Sequence, residues 1–127
     1  MKKQRPVNLG LADLATIKMH AAAYASLLHR VSGVIMVFAI GILLWTLSLS
    51  LSSAEGFAQV ESLLSGIFFK IIILGTLSAL IYHLLGGIRH LLMDLGHFEE
   101  LASGNATAKL IIALWLVLTV VVGVRLW

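Results

Sequence analysis

Residues 31–51 read VSGVIMVFAIGILLWTLSLSL, and the class of the fold follows from this stretch. It runs for 21 residues without a charged side chain. An α-helix rises about 1.5 Å per residue, so the stretch is long enough to cross the roughly 30 Å hydrocarbon core of a bilayer. We predict a membrane-spanning helix here, with its start near Ala22.

Two further apolar stretches follow, at 71–88 (IIILGTLSALIYHLLGGI) and 110–124 (LIIALWLVLTVVVGV). The second of these is only fifteen residues long. We therefore expect the Lys109 stem to snorkel toward the headgroups while the helix continues on both sides. The sequence predicts an all-α membrane protein with one domain, residues 1–127, and three transmembrane helices over about 22–51, 64–95 and 106–127.

The composition agrees with this class. Of the 127 residues, 60% are hydrophobic and only 12% are charged, against about 25% charged residues in a soluble domain. The nine Lys and Arg residues are scattered, which argues against nucleic-acid binding. There is no cysteine, so disulfides, thiolate catalysis and a self-ligated iron–sulfur cluster are excluded.

The charges of the connections predict the orientation. Four cations precede the first span: Lys2, Lys3, Arg5 and Lys18. Residues 52–62 hold two glutamates and no Lys or Arg, whereas residues 89–109 hold one Arg and one Lys. By the positive-inside rule the N-terminus is expected in the cytoplasm.

A stripe of unusual residues marks the second span. At about 100° per residue, one narrow helix face carries His83, Gly86, Gly87, His90 and Asp94. An ionisable residue inside a span is a functional-site hypothesis by default, because an unpaired polar group in hydrocarbon costs several kcal/mol. Arg89 lies about 120° from this face, and we expect it to meet lipid headgroups.

The stripe alone allows three interpretations. His83 could be an axial haem ligand, with Gly86 and Gly87 leaving a flat notch for the macrocycle. The glycines could instead serve close helix packing, or the stripe could form a proton relay. His90 and Asp94 could also be a mutually bonded pair at the headgroups. Because no other span has a histidine at the depth of His83, a second axial ligand would have to come from another polypeptide.

A second polar cluster lies at the start of the first span, in ASLLHRVSG, residues 25–33. Ser26, Arg30 and Gly33 share one side of the helix with His29. This set can donate hydrogen bonds to a carbonyl oxygen or hold a carboxylate. Alternatively, Arg30 binds a lipid phosphate while Ser26 faces a neighbouring helix. Both clusters are expected at the same membrane boundary, which favours a joint site.

The segments SLLHRVSG and YHLLGGIRHLLMD, within this three-span layout, resemble the cytochrome b membrane-anchor subunit of succinate dehydrogenase, of the enterobacterial type. The N-terminal KKQRPVNL and the connection SSAEGF also fit, so the resemblance covers nearly the whole chain. It implies a bacterial inner-membrane subunit that does not itself oxidise succinate. A related quinol:fumarate reductase anchor and a purely structural anchor are the alternatives.

The resemblance also implies cofactors, partners and site residues. Haem b would be shared with a second small anchor subunit, and ubiquinone would be the substrate reduced at the membrane. A flavoprotein, an iron–sulfur subunit and membrane lipid would be the other partners. His83 would be one axial ligand of the haem iron, and Ser26 and Arg30 would line the quinone pocket. The haem propionates would lie near His29, Arg30 and His90.

Overall fold

The computed structural model describes residue 10 and residues 19–127, and the elements in that part of the chain are helices: α1 (Ala21–Ser50), α2 (Ala54–Ser65), α3 (Ile67–Asp94) and α4 (Leu101–Leu126). Helices α1, α3 and α4 have 30, 28 and 26 residues and are apolar enough to cross a membrane. They rise by about 45, 42 and 39 Å, more than the hydrocarbon core requires. The predicted all-α fold with three spans is confirmed. The N-terminal cations that predict the orientation (Lys2, Lys3, Arg5 and Lys18) lie outside the described residues.

The sequence predicts only a short connection at 52–62, but the structure places helix α2 there. The Ser53 hydroxyl caps this helix by accepting a hydrogen bond from the Gly56 N–H at 2.9 Å. Hydrogen bonds from its own backbone and from Ser53 lower the pKa of Glu55 in the first turn. Gly56 and Val60, one turn apart, are buried, and a Cβ at Gly56 would collide with the Leu49 carbonyl oxygen. Helix α2 therefore rests its small face on the end of α1.

The three long helices pack through small residues and a few polar contacts. The main buried cluster is Ala25, Tyr82, Ala108 and Ile111. The Tyr82 hydroxyl donates to the Ala25 carbonyl at 2.9 Å, and its ring meets Trp115 edge-on with centroids 5.1 Å apart. The Trp115 indole N–H in turn contacts the Ser78 hydroxyl at 2.9 Å. Small residues let the backbones approach closely, and these hydrogen bonds fix the register of α1, α3 and α4.

The turn between α3 and α4 is set by Gly96. Its φ of +82° is readily adopted by glycine. The Gly96 N–H donates to the Met93 carbonyl at 2.9 Å and the His97 N–H to the Leu92 carbonyl at 3.0 Å. This pair of bonds is the Schellman arrangement, which satisfies the last carbonyls of α3 and reverses the chain. Helix α4 then returns alongside α3.

The expectation that Arg89 meets headgroups is wrong. Arg89 is only 4% exposed, and its Nη2 donates to the Gly104 carbonyl at 3.0 Å. Its Nε donates to the Thr107 hydroxyl at 3.2 Å. A helical wheel gives the direction of Arg89 but not the position of α4, which lies against that side of α3. The guanidinium thus joins the end of one span to the start of the next.

Most large apolar side chains of the three spans are exposed on the outside of the bundle. Examples on each span are Phe38 (71%), Ile71 (57%) and Val124 (74%). Such a surface is stable only against hydrocarbon or against another apolar protein surface. The described residues therefore form a thin bundle that requires a lipid or protein environment.

Candidate functional site

Three histidines from α1 and α3 converge at one end of the bundle. The rings of His29 and His83 are stacked, with centroids 4.1 Å apart and planes 11° apart. The ring of His90 meets His29 edge-on, with centroids 5.0 Å apart. The two polar clusters of the sequence therefore meet through their histidines, near the start of α1 and in the second half of α3.

The glycines beside the histidines make this approach possible. A Cβ on Gly86 would lie 2.8 Å from Cδ2 of His29, and a Cβ on Gly33 would lie 3.2 Å from Cε1 of His83. Both distances are shorter than van der Waals contact, so each glycine admits the histidine of the opposite helix. Gly87 has its Cβ position 3.6 Å from His29 Nε2, which is ordinary contact.

This arrangement corrects the expectation of an open notch beside His83. The space that Gly86 and Gly87 leave is filled by the His29 ring. A glycine in the sequence indicates free space beside its helix but not which group fills that space. Here a side chain of the neighbouring helix α1 fills it. Close packing against His29 therefore accounts for Gly86, whereas Gly87 makes only an ordinary contact with the same ring.

The inner nitrogen of His83 is held by two oxygens of α1. Nδ1 lies 3.0 Å from the Ser32 hydroxyl and 3.2 Å from the His29 carbonyl. Ser32 is 4% exposed, and its hydroxyl donates to the same His29 carbonyl at 2.7 Å. A carbonyl only accepts, so Nδ1 carries the proton and Nε2 of His83 keeps its lone pair. Within the described residues that lone pair accepts no hydrogen bond.

His29 contributes a polar atom without a partner. Its Nε2 is the one buried side-chain nitrogen or oxygen among the described residues that makes no hydrogen bond. Buried polar groups are nearly always satisfied, so such an atom signals a missing group of complementary chemistry. The carboxylate of a haem propionate is one group that would accept a bond from it.

Ser26 and Arg30 point farther from the core of the bundle than His29 does. At about 100° per residue they point about 100° and 140° away from the buried Ala25, whereas His29 is only about 40° away. Arg30 is exposed and Ser26 half-buried, and neither side chain makes a hydrogen bond within the part of the chain described. They therefore form an unsatisfied donor pair facing outward, one turn from the histidines.

Asp94 does not join the site. It is exposed at the end of α3, and no bond links it to His90 in the described ranges. The described residues therefore do not contain the mutually bonded pair that the sequence allowed for His90 and Asp94. Nor do the described histidines and carboxylates include a group of three placed to hold a bare metal ion.

Two positioning residues escaped the sequence analysis. Ser32 lies three residues after His29, and this spacing on a helix could have indicated it. Asn105 accepts a hydrogen bond from the Ala22 N–H at 3.1 Å, and so caps the start of α1 from α4. Nothing in the sequence around Asn105 signals this contact, because its partner is 83 residues away.

Comparison with known proteins identifies the family of the chain. Residues 1–122 match the family described as succinate dehydrogenase/fumarate reductase transmembrane subunit. Similar proteins include the succinate dehydrogenase cytochrome b556 subunit of Coxiella burnetii, which is 34% identical over 129 residues and the full length of both chains. The corresponding subunit of Paracoccus denitrificans is 32% identical over 84% of this chain and 82% of its own. That of Rickettsia felis is 32% identical over 87% and 86%. The chain therefore belongs to the succinate dehydrogenase/fumarate reductase transmembrane subunit family.

Proposed function

We propose that this chain is the haem b-binding membrane anchor of a succinate:ubiquinone oxidoreductase. The observation that carries the proposal is the state of His83, whose Nδ1–H is committed to Ser32 and His29 while Nε2 keeps a free lone pair. Iron-ligating histidines have this form, in which the second ring nitrogen donates to a carbonyl or hydroxyl. When bound, haem b supplies a one-electron redox centre inside the membrane.

His83 would hold the iron from one side only. The stacked rings of His29 and His83 have nearly parallel planes, and imidazole lone pairs lie in the ring plane. His29 would therefore not serve as a second ligand of an iron bound by His83. This supports a second anchor subunit as the source of the opposite ligand.

His29, Arg30 and His90 would receive the haem propionates. The buried Nε2 of His29 lacks a partner, and Arg30 is an exposed cation one residue further along α1. His90 contacts the edge of His29. A carboxylate here would satisfy the orphan nitrogen and gain charge-assisted hydrogen bonds from the guanidinium.

Ser26 and Arg30 would bind ubiquinone. Neither donor has a hydrogen-bond partner among the residues that the structure describes, and a partner subunit would close a pocket over them on the outward side of α1. Arg30 would hydrogen-bond a quinone oxygen and stabilise the negative charge that develops on it during reduction. Ser26 would donate to the same oxygen or orient the ring.

The remaining assignments follow from the family and the surface. The relatives named above are succinate dehydrogenase subunits, which favours this direction over quinol:fumarate reduction, although the family description includes both. The exposed apolar faces suit lipid and a second anchor subunit. A flavoprotein and an iron–sulfur subunit would dock on the cytoplasmic side of a bacterial inner membrane, at the face that holds the N-terminus. The chain itself would perform no succinate chemistry.

Purification of the tagged chain from native membranes tests the proposal. We expect three other polypeptides to co-purify, one with bound flavin and one with iron and acid-labile sulfide, together with haem b and succinate:quinone activity. A chain that purifies alone, or in a complex without haem, would overturn it. A complex with haem that reduces fumarate but does not oxidise succinate would instead support the fumarate reductase alternative.

A further inference from the structure

We propose that Ser32 is a positioning residue that supports the His83 tautomer with its proton on Nδ1 and strengthens Nε2 as the iron-binding atom. The inference rests on the proposed role of His83 in holding haem. Its own basis is the contact of Ser32 Oγ with His83 Nδ1 at 3.0 Å, made by a hydroxyl that is itself buried.

The hydroxyl is an acceptor toward His83 when its own proton is donated to the His29 carbonyl. Its single proton is committed to the His29 carbonyl at 2.7 Å. The same carbonyl lies 3.2 Å from His83 Nδ1. A lone pair on Nδ1 would face two oxygen lone pairs at hydrogen-bond distance, and this is repulsive. The two oxygens of α1 therefore hold one tautomer of His83, with the proton on Nδ1.

A cross-helix contact of this kind also fixes the orientation of the ring. A Cβ added to Gly33, the next residue, would lie 3.2 Å from Cε1 of His83, so the missing side chain lets the His83 ring approach α1. Gly33 thus leaves space for the His83 ring beside α1, and Ser32 fixes the orientation of that ring through its contact with Nδ1. A serine that only satisfied its own helix would bond the carbonyl of His29 and leave His83 free.

The electronic consequence is a stronger ligand. Donation of the Nδ1–H to two oxygens moves electron density toward Nε2, and this favours ferric over ferrous iron. Loss of one acceptor weakens the effect. The Ser32→Ala variant should therefore bind haem with a more positive midpoint potential, while the second acceptor, the His29 carbonyl, keeps the tautomer.

The test is a potentiometric haem titration of the purified complex, with the electron paramagnetic resonance spectrum of the oxidised haem as a second readout. We expect Ser32→Ala to shift the potential positive and to move the low-spin signal. Ser32→Thr retains a hydroxyl that can bond three residues back, and it should restore both. The matched control is Ser50→Ala, which removes the same kind of bond, to the Leu47 carbonyl at 2.9 Å, far from the histidines.

Each outcome decides the matter. A haem-loaded Ser32→Ala complex with wild-type potential and spectrum overturns the role of Ser32. If that variant does not assemble, the test uses Ser32→Cys, which has a similar volume but is a weak hydrogen-bond acceptor. A more positive midpoint potential in this variant supports the role of Ser32, and an unchanged potential contradicts it. Retention of the wild-type haem signal by His83→Ala would instead refute the proposed function, so the two failures are distinguishable.

Discussion

The His29 ring packs directly against Gly86, where a Cβ added to the glycine would lie 2.8 Å from Cδ2 of His29. Gly86→Ala should therefore push the ring away from His83 and separate α1 from α3 at the site. We expect a large loss of haem content and a lower melting temperature of the complex. The control is Gly75→Ala on the same helix, where the added methyl meets nothing within 4 Å within the described residues. There, alanine should be neutral or stabilising by up to about 1 kcal/mol. Equal behaviour of the two variants would contradict the packing described.

Arg30 is predicted to act on quinone and not on succinate. Arg30→Leu should lower succinate:quinone activity by about tenfold or more, because a pre-placed cation stabilises the developing charge. Succinate oxidation by a soluble artificial acceptor should change little. Ser26→Ala should show the same pattern more weakly. The control Arg125→Leu, in the last turn of α4 and far from the start of α1, should affect neither assay. An equal loss in both assays for Arg30→Leu would point to failed assembly.

Arg89 is predicted to be a structural cation. Arg89→Met removes the bonds to the Gly104 carbonyl and the Thr107 hydroxyl and leaves both without this donor. Hydrogen bonds from charged groups contribute about 1.5–3 kcal/mol, so the melting temperature should fall clearly. Combination with Thr107→Val should cost less than the sum of the single changes, because the two residues are in contact. Strict additivity would show that the contact contributes nothing.

Asn105 is predicted to hold the start of α1 in place. Asn105→Ala removes the acceptor of the Ala22 N–H, and loss of such a cap costs about 1 kcal/mol. Hydrogen–deuterium exchange should speed up at Ala22 and its neighbours in the first turn, and remain unchanged in the middle of α1. Asn105→Asp keeps the acceptor oxygen and should exchange like the wild type. Unchanged exchange in the alanine variant would rule out the cap.

The three membrane-spanning helices could be predicted from the sequence, because long apolar runs without charged residues are typical of such helices. Helix α2 was missed because it is short and polar, although Ser53 has the position of an N-cap. The angular arguments placed His83 and His90 correctly on one face. They failed for Arg89 and for the space beside Gly86, since a wheel contains no information on where the neighbouring helices lie.

The site was foreseen only in part for the same reason. His29, His83 and His90 stand out as ionisable groups near or within spans, so the sequence indicates them directly. Ser32 and Asn105 are small polar residues of a kind that is common in membrane helices. Their importance depends on partners 51 and 83 residues away, and only the packed structure brings these together.

The most direct test of the account is the reduced-minus-oxidised spectrum of the purified complex carrying His83→Ala. His97→Ala is the matched control, because His97 is exposed in the turn beyond α3 and outside the histidine cluster. We predict that the b-type haem signal is lost or strongly altered in the His83 variant and retained in the His97 variant, with all subunits present in both. A His83→Ala complex with the wild-type spectrum and wild-type haem content would contradict the central claim.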